Sequence, residues 1–199
     1  WYKMNFFEHS ARVPLIVHSP TRFGASRVAT LSSLLDIAPT LLDLAGLEVP
    51  NAMDGHSLVP QLGGFEDMLR TVEGEYLGEG AVAPIFMLRR GNLKYIFSQP
   101  DGDQLYDLNV DPQELNNVVD SPEYLADAAS FQSEVMDRWN MSQILVDVLD
   151  SQANRRVVDH ALRKGQYSAW DFQPTTDASG QYMRNHLDLN DVESGRRSQ

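Results

Sequence analysis

The sequence predicts an α/β chain in three stretches: the C-terminal end of a larger α/β domain over 1–64, a small α+β subdomain over 65–164 built from an antiparallel sheet plus a helix, and an extended tail over 165–199. Three observations carry this. An apolar, β-branched run at 13–18 suits a strand covered on both faces. Strand patterns at 70–77, 85–99 and 103–109 are punctuated by the turn pairs Gly91-Asn92 and Asp101-Gly102, as in hairpins. Apolar residues recur at helical spacing over 31–45 and again over 122–140.

The chain opens on WYKMNFFEHSARVP, where Lys3 stands among aromatics. With no initiator Met and no charged and then apolar leader, it reads as a fragment of a longer polypeptide. The strand at 13–18 is placed inside a domain core. In LSSLLDIAPTLLDLAG the residues Leu31, Leu34, Leu35, Ala38, Leu41, Leu42 and Ala45 line one helix face. Asp36 as its cap puts Pro39 in the first turn, where a missing amide costs nothing, and Gly46 is the natural stop. NAMDGHSLVPQLGG reads as loop and short apolar turn, with Gly63-Gly64 marking a boundary. After the sheet, Ser121 as cap and Pro122 at the first helical position open a helix through Leu125, Ala128, Phe131, Val135 and Met136. A further helix is expected over 152–164. The tail has no sustained period but is too aromatic for plain disorder.

Composition narrows the function classes. The chain has 199 residues, 42% hydrophobic and 22% charged, enough to bury a sizeable core. A net charge of -12, from 28 acidic against 16 basic residues, argues against nucleic acid or an anionic membrane as the main partner. Without cysteine there is no disulfide framework, Cys-based zinc site or Cys nucleophile within these residues. No apolar run approaches the roughly 20 residues that cross a bilayer, so the visible part is expected to be soluble, and a cytoplasmic location is expected.

Four separated stretches carry a family resemblance. KMNFFEHSARVPLIV resembles a sulfatase segment with Lys, three residues, an aromatic, Glu, then Arg and Pro before a core strand. SSLLDIAPTLLDLAGLEVP is similar to that family's Asp, two residues, Pro-Thr, Leu-rich helix and Gly. MDGHSLVPQL resembles its Asp-Gly, one residue, Ser-Leu turn, and LKYIF followed by QLYDLNVDPQELNNV resembles its late Lys-Tyr strand and Tyr-Asp-Leu, Asp-Pro, Glu and Asn. In this order and spacing they resemble the C-terminal part of an alkaline-phosphatase-like sulfatase fold. AWDFQPTTDASGQYMRNHLDLNDVE is similar to the C-terminal extension of the choline sulfatases, which hydrolyse choline-O-sulfate to choline and sulfate.

The resemblance implies a chemistry. Sulfate ester cleavage needs a nucleophile, a metal to polarise the sulfuryl oxygens and cations for the spread negative charge. Sulfatases use a formylglycine made from Cys or Ser and a divalent metal, Ca or Mg/Mn, and both would lie outside this chain; the fragment alone is expected to be inactive and no metal ligand is assigned in it. Lys3 matches the family's last active-site lysine, whose ammonium serves several oxygens without demanding planar geometry. Composition by itself would make it a surface Lys whose stem covers apolar area. Glu8 and Arg12 match the same motif and are expected to orient the loop carrying Lys3 through a charge-assisted hydrogen bond. His9 and His18 lack neighbours at ligand spacing.

A quaternary ammonium has no hydrogen to donate, so it is recognised by aromatic faces and carboxylates. The substrate-binding candidates are Glu79, in a Gly-flanked turn that is as readily a solvated surface, and Asn185, His186 and Asp188 in the tail. Trp170, Phe172, Tyr182, Leu187 and Leu189 are expected to dock the tail on a neighbouring subunit of a homo-oligomer. The carboxylates around Asp111-Pro112 lack the calcium-loop pattern and its Gly, and read as turn and helix-entry chemistry. The expected substrate is a small-molecule alkyl sulfate ester. An arylsulfatase or phosphonate monoester hydrolase of the same superfamily is the alternative enzyme, and a non-catalytic oligomerisation or binding module the alternative of another class.

Overall fold

Four short strands pair in chain order into one antiparallel sheet: β1 Thr71–Tyr76, β2 Ile85–Arg90, β3 Leu93–Ser98 and β4 Gln104–Asp107. They belong to a computed structural model that describes residues 4–78 and 81–165. Backbone contacts divide the chain into two units, Trp1–Val148 and Leu149–Gln199. The helices are α1 Glu8–Ala11, α2 Ile37–Leu44 after a 3-10 turn at Leu34–Asp36, α3 Val59–Leu62, α4 Leu125–Arg138 and α5 Met141–Arg163. Among the described residues no helix is long and apolar enough to cross a membrane.

The sheet has two different faces because successive side chains point to opposite sides. Arg90 pairs with Leu93, so β2 and β3 join through a two-residue turn that opens on Gly91 with φ 55°. One face carries Phe86, Leu88, Tyr95, Phe97 and Leu105, and α4 covers it with Ala128, Phe131, Val135 and Trp139. Trp139 stacks on Phe86 at 4.6 Å between ring centroids, and Phe131 on Tyr95 at 5.8 Å. The Trp139 indole donates to Glu75 at 2.6 Å, so its polar edge is satisfied where its ring is buried. The other face carries Met87, Ile96 and Tyr106 and receives Phe6 and Phe7 from the start of the chain.

The elements expected from sequence are present in the sheet and in α2, whose end at Gly46 follows the expected stop: Leu47 N–H donates to Leu42 O and Gly46 N–H to Asp43 O, with Gly46 at φ 72°. Four expectations are corrected. The run at 13–18 forms no strand, and Leu15, Ile16 and Val17 are exposed, Ile16 by 88%. A strand buried on both faces needs paired neighbours and a layer on each side, and the described sheet takes none of these residues. Asp36 does not cap α2 with its side chain; it closes a capping box with Ser33 one turn earlier and then binds His56 N–H and Arg70. Helix α4 starts three residues later than expected, because Ser121 to Tyr124 close a separate turn. Helix α5 starts at Met141, well before 152, since Asn140 caps it through Gln143 N–H at 3.0 Å.

Candidate functional site

The described part of the candidate site is the stretch from Phe6 to Arg12, seated on the sheet face opposite α4. Two aromatics hold it by packing. Phe7 meets Tyr106 edge to face at 5.9 Å, and Phe6 lies against Gly74 of β1, where a Cβ would stand 2.5 Å from its Cε1. Only glycine at that strand position lets the ring approach so closely.

Charge fixes what packing brings near. Lys94, on β3, is 1% exposed and donates to Phe6 O at 2.9 Å, Glu8 Oε1 at 2.6 Å and Glu114 Oε1 at 2.7 Å. Glu114 in turn accepts from the backbone N–H of Glu8 at 2.5 Å. Arg89, next to Lys94 in the β2–β3 register, donates to Glu8 Oε1 at 2.9 Å. Burial pushes the Glu8 carboxyl up, but the Lys94 hydrogen bond and charge, with Arg89 and Arg12 beyond it, outweigh this and hold it below the usual carboxylate range. Glu114 reaches its position from a turn closed by its N–H on Asp111 O, with φ 55°. A non-glycine residue in the left-handed region is costly and persists only where its surroundings fix it.

The Glu8 carboxylate therefore makes charge-assisted contacts, with Lys94 and Arg89. Arg12 is exposed and its backbone N–H donates to Glu8 O at 3.0 Å, while the side-chain partners of the Glu8 carboxylate among the described residues are Arg89 and Lys94, which stand on the sheet face under it. Lys3, Glu79, Asn185, His186 and Asp188 lie outside the described residues. His9 is exposed and meets Gln113 at 3.2 Å, and His18 is exposed. The carboxylates after β4 serve turns, Asp111 accepting from Asn116 N–H at 2.8 Å, and no helix follows them at once.

Among the described residues no three His, Cys, Asp or Glu side chains gather as a metal site. The described residues thus do not offer the ligand set that a divalent cation needs. An open cavity of about 1170 Å³ lies between the β3–β4 turn, α4 and the start of α5, lined by Asp101, Asp103, Asp120, Gln132, Met136 and Met141 among others. Neither Glu8 nor Arg12 reaches it.

Residues 1–141 match the family model described as N-sulphoglucosamine sulphohydrolase, C-terminal. The chain belongs to the sulfatase family. Residues 146–197 of this sulfatase chain match a second model, choline sulfatase enzyme C terminal. A choline-sulfatase of Rhizobium meliloti (strain 1021) is 43% identical over 203 residues, covering 99% of this chain and 39% of that protein. Arylsulfatase K of Rattus norvegicus is 38% identical over 131 residues, covering 60% of the chain and 23% of that protein. A solved structure described as a complex with its substrate D-glucosamine-2-N,6-O-disulfate superposes with a TM-score of 0.52 at 30% identity, over 73% of this chain and 30% of the other. The sulfatase chain thus spans well under half the length of the relatives it matches. Within it, Lys94 and Glu114 are the residues that sequence reasoning missed. Lys94 was legible as the Lys of the Lys-Tyr strand motif and Glu114 as the Glu after Asp-Pro, but neither was given a partner; their meeting across 20 residues has no periodic signal.

Proposed function

We propose that this chain is the C-terminal portion of a choline sulfatase, an enzyme hydrolysing choline-O-sulfate to choline and sulfate. The observation that carries the reading is the match of residues 146–197 to the choline sulfatase C-terminal model, on top of 43% identity across the chain to a choline-sulfatase. Lys3 is read as the cation that meets the sulfuryl oxygens and the departing alkoxide. Its sequence neighbours support this, since Glu8, five residues on, is held to the sheet by three hydrogen-bonded partners. Formylglycine and a divalent metal come from elsewhere in the polypeptide. The metal supplies polarisation of the sulfuryl oxygens when bound, and this chain's residues bind and orient. Glu79, Asn185, His186 and Asp188 are read as the substrate end, where carboxylates and aromatic faces meet a quaternary ammonium. The tail is read as contacting a neighbouring subunit of a homo-oligomer, and the location as cytoplasmic.

A second reading, an aryl sulfate hydrolase, is favoured by the 38% identity to arylsulfatase K. The full-length protein that carries this chain separates the two when sulfate release is followed from choline-O-sulfate and from an aryl sulfate. At least a tenfold higher kcat/KM for choline-O-sulfate is expected, and the reverse order overturns the choline reading. In the same protein Lys3→Ala should lower kcat about 100-fold or more, as loss of one preorganised charge contact does.

A further inference from the structure

We propose that Lys94 and Glu114 are positioning residues of the sulfate site: together they clamp the segment that carries Lys3 to the small sheet. The proposal rests on the reading of Lys3 as the cation that meets sulfate, and goes beyond it by naming what holds that cation's segment in place.

Both side chains grip the backbone, and Lys94 also binds the Glu8 carboxylate. Lys94 Nζ takes the carbonyl of Phe6 and Glu114 Oε2 takes the N–H of Glu8, so the chain is fixed at two points three and five residues after Lys3. An ammonium has three protons. Phe6 O, Glu8 Oε1 and Glu114 Oε1 use all three, at 2.9, 2.6 and 2.7 Å. Glu114 has both oxygens occupied as well, one by Lys94 and one by Glu8 N–H. With side chains 1% exposed, neither group has a site left for substrate, so their influence runs through the segment they hold.

A device of this kind is a poor choice for stability alone. Burying an ammonium and two carboxylates costs desolvation that well-packed apolar side chains would avoid, and Glu114 adds a left-handed backbone to that cost. Its gain is definition of position: the pairs are satisfied in one placement of the segment. Gly74 gives the same placement by shape, since any side chain there collides with Phe6. Charge and shape, from β3, the turn after β4 and β1, converge on Phe6 and Glu8. Catalytic groups repay such definition, because a displacement of about 1 Å costs on the order of 100-fold in rate.

The test is a set of double-mutant cycles in the full-length protein, with whichever sulfate ester it turns over faster. Glu114→Gln, Gly74→Ala and Lys94→Met are made alone and in the Lys3→Ala background. Each is expected to lower kcat by about 10- to 100-fold with KM within about twofold, as mispositioning of a charge used in the transition state does. In the Lys3→Ala background none should lower kcat further, because the group they position is gone. Equal fold losses in both backgrounds overturn the proposal and leave a structural role. Unchanged kcat in Lys3→Ala by itself overturns the reading of Lys3 instead. If Lys94→Met fails to fold, Glu114→Gln and Gly74→Ala decide, each compared at matched temperature below its own Tm; retention of kcat in both overturns the clamp.

Discussion

Glu8 shows how one residue's surroundings set both its charge and its use. Its carboxyl is held below the usual carboxylate range, and so is that of Glu134, where burial is outweighed by hydrogen bonds and charge from Arg90 and Arg138. A carboxylate depressed in the folded state stabilises the fold fully above its unfolded pKa of about 4.3, and the contribution is lost as pH falls through the lower folded value. Denaturant midpoints should therefore be flat from pH 7 to about 5 and decline below. Glu8→Gln should start lower at pH 7 and converge on the parent in acid; a constant gap at every pH would contradict the link. The motif around Lys3 marked Glu8 as a partner-seeking carboxylate, but it could not name the partners. Arg12 was the near choice along the chain, whereas Arg89 and Lys94 come from 81 and 86 residues away and only the strand register brings them together.

At the scale of elements, legibility followed the strength of local signals. The strands and hairpin turns were plain from their apolar runs and turn pairs, and β2, β3 and β4 each put residues both against α4 and against the N-terminal segment. The stop of α2 was plain because Gly46 needs a positive φ. The start of α5 was obscured because the Asn140 cap follows directly on α4's end, and two adjoining helices blur each other's period. The strand expected at 13–18 failed for a different reason: an apolar run states a need for cover and not its source. Helix α4 contributes most of the cover that the sheet receives. Phe131 is buried against Tyr95 with the Arg90 guanidinium 5.3 Å from its ring centroid. Phe131→Ala should destabilise by about 3–5 kcal/mol through transfer and cavity terms, visible as a drop in urea midpoint with unchanged slope.

For the whole molecule, large apolar side chains stand exposed both before and after the sheet. Ile16, Leu34, Leu41, Leu47, Phe65 and Leu69, before β1, are each at least 60% exposed, as are Val82, Val110, Leu115 and Val157 after it. The chain covers 39% of the choline-sulfatase it matches. In the full-length protein, removal of everything after Lys164 should lower the assembly state and cut the preference for choline-O-sulfate over an aryl sulfate by about tenfold. Light scattering and paired kcat/KM values check this, and an unaltered assembly with unaltered preference would remove the role given to the tail. The family and its small sheet were legible from four motifs, whereas the clamp became visible only once the sheet had a register.

The ion cluster on that sheet also has an electrical consequence. Two cations, Lys94 and Arg89, balance two anions, Glu8 and Glu114, so the group sums to zero. The chain as a whole carries -12, a charge whose field reaches beyond its surface. A neutral group fades faster with distance than any single charge in it. The carboxylates that hold the segment are therefore neutralised where they stand, and they add little to the long-range field of the chain.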